Sequence, residues 1–140
     1  MDSKRETIMK RIAAVLAAAD GVSGRVYRSD PDAATRAESP CIVITWQTDQ
    51  QFGEPMILSD RELTVSVQII TRGDAPDALA DPIIQSVHAL LMADPKLDNN
   101  AIDIIYGSTD FEFESADQTA GRLTQQYRIL FRHSYHDLTA

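Results

Sequence analysis

Gly121-Arg122-Leu123-Thr124-Gln125-Gln126-Tyr127-Arg128-Ile129-Leu130-Phe131-Arg132-His133-Ser134-Tyr135-His136 reads as one long amphipathic β-strand. Leu123, Tyr127, Ile129, Phe131 and Tyr135 fall on one face, and Thr124, Gln126, Arg128, Arg132 and Ser134 on the other, which is the period-2 alternation of a half-buried strand. The thirteen residues 123–135 would span roughly 40 Å at the rise of a strand. Since strands in globular proteins usually run about 5–6 residues, part of this one should bend, twist away or project toward a neighbouring subunit. The pattern points to assembly before it points to chemistry.

Working back toward the N-terminus, residues 115–121 read as the turn into this strand, and residues 102–114 as its hairpin partner, interrupted near Gly107. Phe111 and Phe113 should face inward there, with Asp110, Glu112 and Glu114 outward. Leu79, Ile83, Ile84, Val87, Leu90 and Leu91 recur at helical spacing and close at Asp94-Pro95. Pro82 interrupts that pattern: either Asp81 caps a helix with Pro82 at its first position, or the helix begins near Pro76 and adapts. The second reading is the one adopted.

Leu63, Val65, Val67 and Ile69 alternate with polar residues in 61–71, and Cys41-Ile42-Val43-Ile44-Thr45-Trp46 is a β-prone run that should be buried. Residues 48–60, with Gly53 and Pro55, then form the extended tip of an antiparallel hairpin. Residues 24–28 make a short strand, 29–39 a polar loop, and Ser3-Lys4-Arg5-Glu6 the capping box of a first helix carrying Ile8, Ile12, Val15, Leu16 and Ala19. The sum is an α+β fold: a mainly antiparallel or mixed sheet of about five strands with two helices packed against it, residues 1–140 forming one domain.

Composition narrows the function. Thirteen basic against 21 acidic residues give a net charge of −8 with no basic cluster, which opposes nonspecific nucleic-acid binding through phosphate neutralisation. The single cysteine, Cys41, excludes an internal disulfide framework and suits a reducing compartment. Residues 1–7 lack the apolar core of a signal peptide, and no window approaches the roughly 20 apolar residues of a membrane span. A soluble cytoplasmic chain is expected.

Catalytic patterns are missing. Cys41 could pair with His88, His133 or His136 as a nucleophile, but a cysteine opening an Ile-Val-Ile strand is ordinarily a small buried hydrophobe. His133 and His136, three apart on a strand, point to opposite faces and cannot share a metal without a bulge. His88 borders the apolar stripe of its helix. Asp30-Pro31-Asp32 and the acids of 110–114 lack calcium-loop spacing, and there is no phosphate loop, zinc spacing or nucleophile elbow. No catalytic residue, metal ligand or cofactor is expected.

Three stretches carry a resemblance: Glu38-Ser39-Pro40-Cys41-Ile42-Val43-Ile44; His88-Ala89-Leu90-Leu91-Met92-Ala93-Asp94-Pro95-Lys96-Leu97; and Tyr127-Arg128-Ile129-Leu130-Phe131-Arg132 leading to Asp137-Leu138. In this order and spacing the chain resembles, over nearly its whole length, the phage tail terminator proteins, the small minor tail proteins of the lambda type found in long-tailed phages and gene-transfer particles. Many relatives end the last strand in Tyr-Arg-Thr where this chain has Phe131-Arg132-His133.

The resemblance implies a structural virion protein assembled in the host cytoplasm. Its copies would form a homo-oligomeric ring, a hexamer, that caps the tail tube, ends its polymerisation and joins it to the head–tail connector. Six copies at −8 each give −48, so DNA would pass the lumen repelled rather than held. A head-completion or neck protein is the alternative within the virion, and an intracellular Cys/His enzyme the alternative of another class. Contacts to the ring and the tube are expected from the two connections and the last strand: Asp49, Phe52, Glu54 and Met56 on the first, Asp117 and Gln118 on the second, and Arg122, Arg128 and Arg132 along the strand. Phe52 and Met56 would be its apolar anchors, unless they fold back on the sheet.

Overall fold

The computed structural model describes residues 1–28, 39–54, 57–114 and 117–140. Met56, the side chains of Asp117 and Gln118, and all of the expected polar loop except Ser39 lie outside the described residues. The elements are α1 (Lys4–Leu16), β1 (Val26–Tyr27), β2 (Cys41–Gln51), β3 (Leu58–Arg72), α2 (Pro76–Ala93), β4 (Asp103–Glu114) and β5 (Asp117–Ser134). The five strands form one sheet in the order β1-β2-β3-β5-β4, antiparallel except for the β1–β2 pair. This is the expected α+β architecture of five strands and two helices.

Helix α1 starts where Ser3 accepts from the backbone amide of Glu6 at 3.2 Å. The other half of the expected capping box does not form, because Arg28 draws the Glu6 carboxylate away with two hydrogen bonds of 2.9 and 3.1 Å. That guanidinium also holds the Glu6 carboxyl below the usual range. Helix α2 runs from Pro76 through Pro82 without ending. Pro82 lies on its exposed side, away from the stripe of Ala80, Ile83, Ile84, Val87 and Leu91.

Both helices bury their stripes on one face of the sheet. Ile8, Met9, Ile12 and Leu16 from α1 and the α2 stripe join Ile42, Ile44, Leu63, Val65, Val67, Ile69, Ile104, Tyr127, Ile129 and Phe131 in one cluster. On the opposite face a smaller cluster of Cys41, Val43 and Ile70 packs with Tyr27.

The connections are shorter than the sequence suggests. β2 continues to Gln51 and β3 begins at Leu58, so most of the expected 48–60 tip is paired strand. A bulge between Trp46 and Thr48 resets the register, after which Thr48, Asp49, Gln50 and Gln51 pair with Thr64, Leu63, Glu62 and Arg61. Polar residues are tolerated there because the outer side of the strand faces solvent. The reversal itself uses Gly53 at φ 77, a conformation that favours glycine.

The expected 115–121 turn is likewise strand from Asp117 onward, and Gly121 sits within it, paired with Phe113 on one side and Thr71 on the other. A Cβ at Gly121 would lie 2.6 Å from the Phe111 ring and 2.9 Å from Pro76. The glycine is there for close packing rather than for a turn. Gly121→Ala should therefore cost about 1–3 kcal/mol in denaturant unfolding; an unchanged midpoint would mean that Phe111 swings aside freely.

The last strand runs 18 residues, from Asp117 to Ser134, rather than along 123–135. Its projection is shared: β3 pairs with it from Ala120 to Ser134 and β4 from Asp117 to Leu130. Tyr135 lies past its end and is exposed, as is His136, which is not on the strand. Phe113 shares the helix-side face with Phe111 but is 54% exposed, because it lies beyond the reach of the helices; the expectation that it faces inward fails.

Candidate assembly surface

On the face away from the helices, β5 presents Arg122, Arg128 and Arg132, and β3 supplies partners for all three. Arg122 donates to the Gln68 side chain at 2.5 Å, Arg128 lies 3.6 Å from Glu62, and Arg132 donates twice to Asp60 at 2.5 and 3.2 Å. Cross-strand and diagonal neighbours meet in this way on a pleated face. The Arg132 hydrogen bonds hold the Asp60 carboxyl below its usual range and raise the Arg132 guanidinium. That pair contributes above the ordinary carboxylate range and fades as pH falls through the lowered value. Both side chains are exposed, so water and salt screen the pair.

At the sheet end carrying the β2–β3 reversal, Asp49 is turned inward, with its side chain 9% exposed. It accepts from Arg5 of α1 at 2.9 Å and from Arg61 of β3 at 2.8 Å, while Arg61 also donates to the Asp49 carbonyl at 2.8 Å. The Arg5 guanidinium lies 4.4 Å from the centre of the Trp46 ring. Asp49 thus ties α1 to the sheet.

Phe52 continues the ladder by donating its amide to Asp60 at 2.7 Å, and its ring is 54% exposed; Glu54 is exposed beside it. Ile57 and Leu58, which sequence reading passed over, are exposed at the same end, Ile57 at 82%. The amide of Tyr135 donates to the Ile57 carbonyl at 2.9 Å, and Leu58 is in register with Ser134. Phe52, Ile57, Leu58 and Tyr135 therefore form an apolar fringe along one end of the sheet, with Leu138 also exposed nearby. Grouped exposed hydrophobics of this kind mark contact surfaces more than scattered ones do. The available signal was the Ile57-Leu58 pair beside Gly53, inside a segment read as polar.

A polar chain links α2 to the sheet. Tyr106 and Thr109 hydroxyls lie 2.9 Å apart, Thr109 donates to the Gln125 carbonyl oxygen at 2.9 Å, the Gln125 amide donates to the Tyr127 hydroxyl at 2.5 Å, and that hydroxyl lies 2.9 Å from His88 Nδ1. The Tyr127 hydroxyl thus accepts from Gln125 and shares a second hydrogen bond with the His88 imidazole. Burial pushes the Tyr127 hydroxyl up to about 12. The rings of His88 and Tyr106 meet edge-on at 5.1 Å beside an open hollow of about 410 Å³. The arrangement works as a clasp between helix and sheet.

Cys41 is fully buried at the start of β2, while His133 is 6% exposed, with Nδ1 at 2.5 Å from the Ser134 carbonyl. Among the described residues no three His, Cys, Asp or Glu side chains converge as a metal site, and no helix is long and apolar enough to cross a membrane.

No protein-family model and no curated protein matches the sequence. Among solved structures the chain is similar to one in the virion of a native gene transfer agent particle, with a TM-score of 0.51 and 11% identity, over 94% of this chain and 96% of that one. The two share a fold along essentially their full lengths.

Proposed function

We propose that this chain is a structural virion protein of the tail-terminator type, one domain over residues 1–140, acting without catalytic residue, metal or cofactor. Its copies close into a ring, a hexamer, on the end of the tail tube, halt tube growth and present the opposite surface to the head–tail connector, while DNA passes through. The observation that carries this reading is the end-to-end fold likeness to a chain of a gene-transfer virion. The resemblance of the three sequence stretches and the apolar fringe at one end of the sheet support it. We assign the fringe, with Phe52, Glu54 and Met56, to the tube contact, and Arg122, Arg128 and Arg132 with Asp117 and Gln118 to surfaces within the assembly.

The test is complementation. Particles made without the native gene product and supplied with F52S/I57S protein should show tails of uncontrolled length or tails not joined to heads, although the variant is folded by circular dichroism. Normal capped tails joined to heads would overturn the contact assignment. Light scattering and negative-stain micrographs test the ring separately, and a monomer at high concentration and in particles alike would overturn it.

A further inference from the structure

The sheet ends on both sides in strand edges without a partner among the described residues. β4 is the last strand on one side, and its whole outer edge is open. On the other side β1 pairs only with Ile42 and Val43, so the outer edge of β2 is open along residues 44–51. Natural monomers blunt such edges with lysine, proline or inward charge. Residues 44–51 hold no proline and no basic residue, and their only charge, Asp49, is engaged by two arginines.

We propose that neighbouring copies join by hydrogen-bonded pairing of the β4 edge of one copy with the β2 edge of the next, which rests on the ring reading above. Strand direction permits this. β2, β3, β5 and β4 alternate, so β2 and β4 run oppositely, and placing β4 of one copy beside β2 of a second copy in the same orientation continues the antiparallel order. Such a contact uses two different patches, so it repeats from copy to copy and forms a ring when the rotation between copies closes, as the ring reading requires.

Charge selects the same pairing. On the face away from the helices β4 carries Asp103, Asp110 and Glu112 with no basic residue, whereas the β2 edge presents neutral Thr48 and Gln50 on that face and keeps Asp49, with Arg5 and Arg61, on the helix side. A two-fold β4–β4 contact would instead set acids opposite acids, which is unfavourable on a sheet face. Across the sheet Gln50, Asp49, Thr48 and Trp46 of β2 are level with Asp103, Ile104, Ile105 and Tyr106 of β4, and residues 46–51 and 103–106 are the segments we assign to the seam. Trp46 at 40% exposure and Tyr106 at 53% stand at the same level on the helix side of the two edges, where the pairing would cover them.

The test places cysteines on the two edges in a C41A background: Q50C, D103C, and both together, at exposed positions that are level across the sheet. A short bismaleimide spans the two facing thiols. The double variant should give a ladder of covalent multimers ending at the ring number, and each single variant should stay monomeric on a denaturing gel. Dimers from D103C alone would establish two-fold pairing and overturn the proposal. An oligomer by light scattering with no ladder would overturn the edge pairing and leave the ring standing, whereas a monomer under all conditions and in particles would remove both. Hydrogen exchange on the unaltered chain gives a readout independent of the variants: amides in 46–51 and 103–106 should gain protection on assembly, and unchanged exchange in an assembled sample overturns the seam.

Discussion

Alanine at Tyr127 should lower the unfolding free energy by about 3–5 kcal/mol, the range for deleting a large buried aromatic. The ring is 1% exposed, lies in the main core cluster, and carries the hydroxyl that His88 and Gln125 share. Against a total of about 5–15 kcal/mol for a typical domain, such a loss brings the chain near its unfolding threshold. Tyr127→Phe separates the two contributions. It keeps the ring but strands His88 Nδ1 and the Gln125 amide, and should cost about 1–3 kcal/mol.

The same hydroxyl gives stability an alkaline dependence. Its folded value of about 12 stands above the ordinary 10, so the folded chain holds the proton after the unfolded chain has begun to release it. Stability from this source is full below pH 10 and is lost as pH rises toward about 12. The loss amounts to about 3 kcal/mol at most. Urea unfolding across that window should show a steeper decline for the wild type than for Y127F. Parallel declines would place the titration on other groups.

This buried hydroxyl also shows where sequence reading stopped. The alternation of β5 was legible because Tyr127, Ile129 and Phe131 recur at period 2, and the path of α2 through Pro82 was legible because its apolar stripe continues on both sides. Gln125 and His133 share the inward face of β5 and are 4% and 6% exposed, yet no composition rule marks them as buried. Gln125 is satisfied by Tyr127 and by Thr109, which only the folded sheet brings near, and His133 by the carbonyl of the next residue, Ser134. Strand ends were misread for a related reason. Residues 48–51 and 117–121 are polar or glycine-containing, which imitates a loop, whereas an edge position or a ring packed on a glycine lets such residues remain in a sheet. The candidate assembly surface was half visible: Phe52 is exposed as a contact residue must be, Ile57 and Leu58 were overlooked, and the role of Asp49 required knowing that α1 passes over β2.

Asp49 supports the second large effect. Its carboxylate is nearly enclosed and joins two guanidiniums whose side chains are 31% and 22% exposed. Removing one member of a buried ion group leaves the others without compensation, a loss of about 3–5 kcal/mol when burial is complete. With both arginines still partly hydrated, Asp49→Ala should cost about 2–4 kcal/mol. Asp60→Ala, at an equally close pair that lies in water, should change the unfolding midpoint by no more than experimental error. A double-mutant cycle of D49A with R5A should show coupling, because Arg5 brings α1 to this carboxylate and stacks on Trp46. Equal effects of D49A and D60A on unfolding would refute the internal anchor. If D49A then also left the chain fully stable while abolishing its oligomers, the carboxylate would belong to the contact between subunits, and α1 would owe its position to the apolar stripe of Ile8, Met9, Ile12 and Leu16 alone.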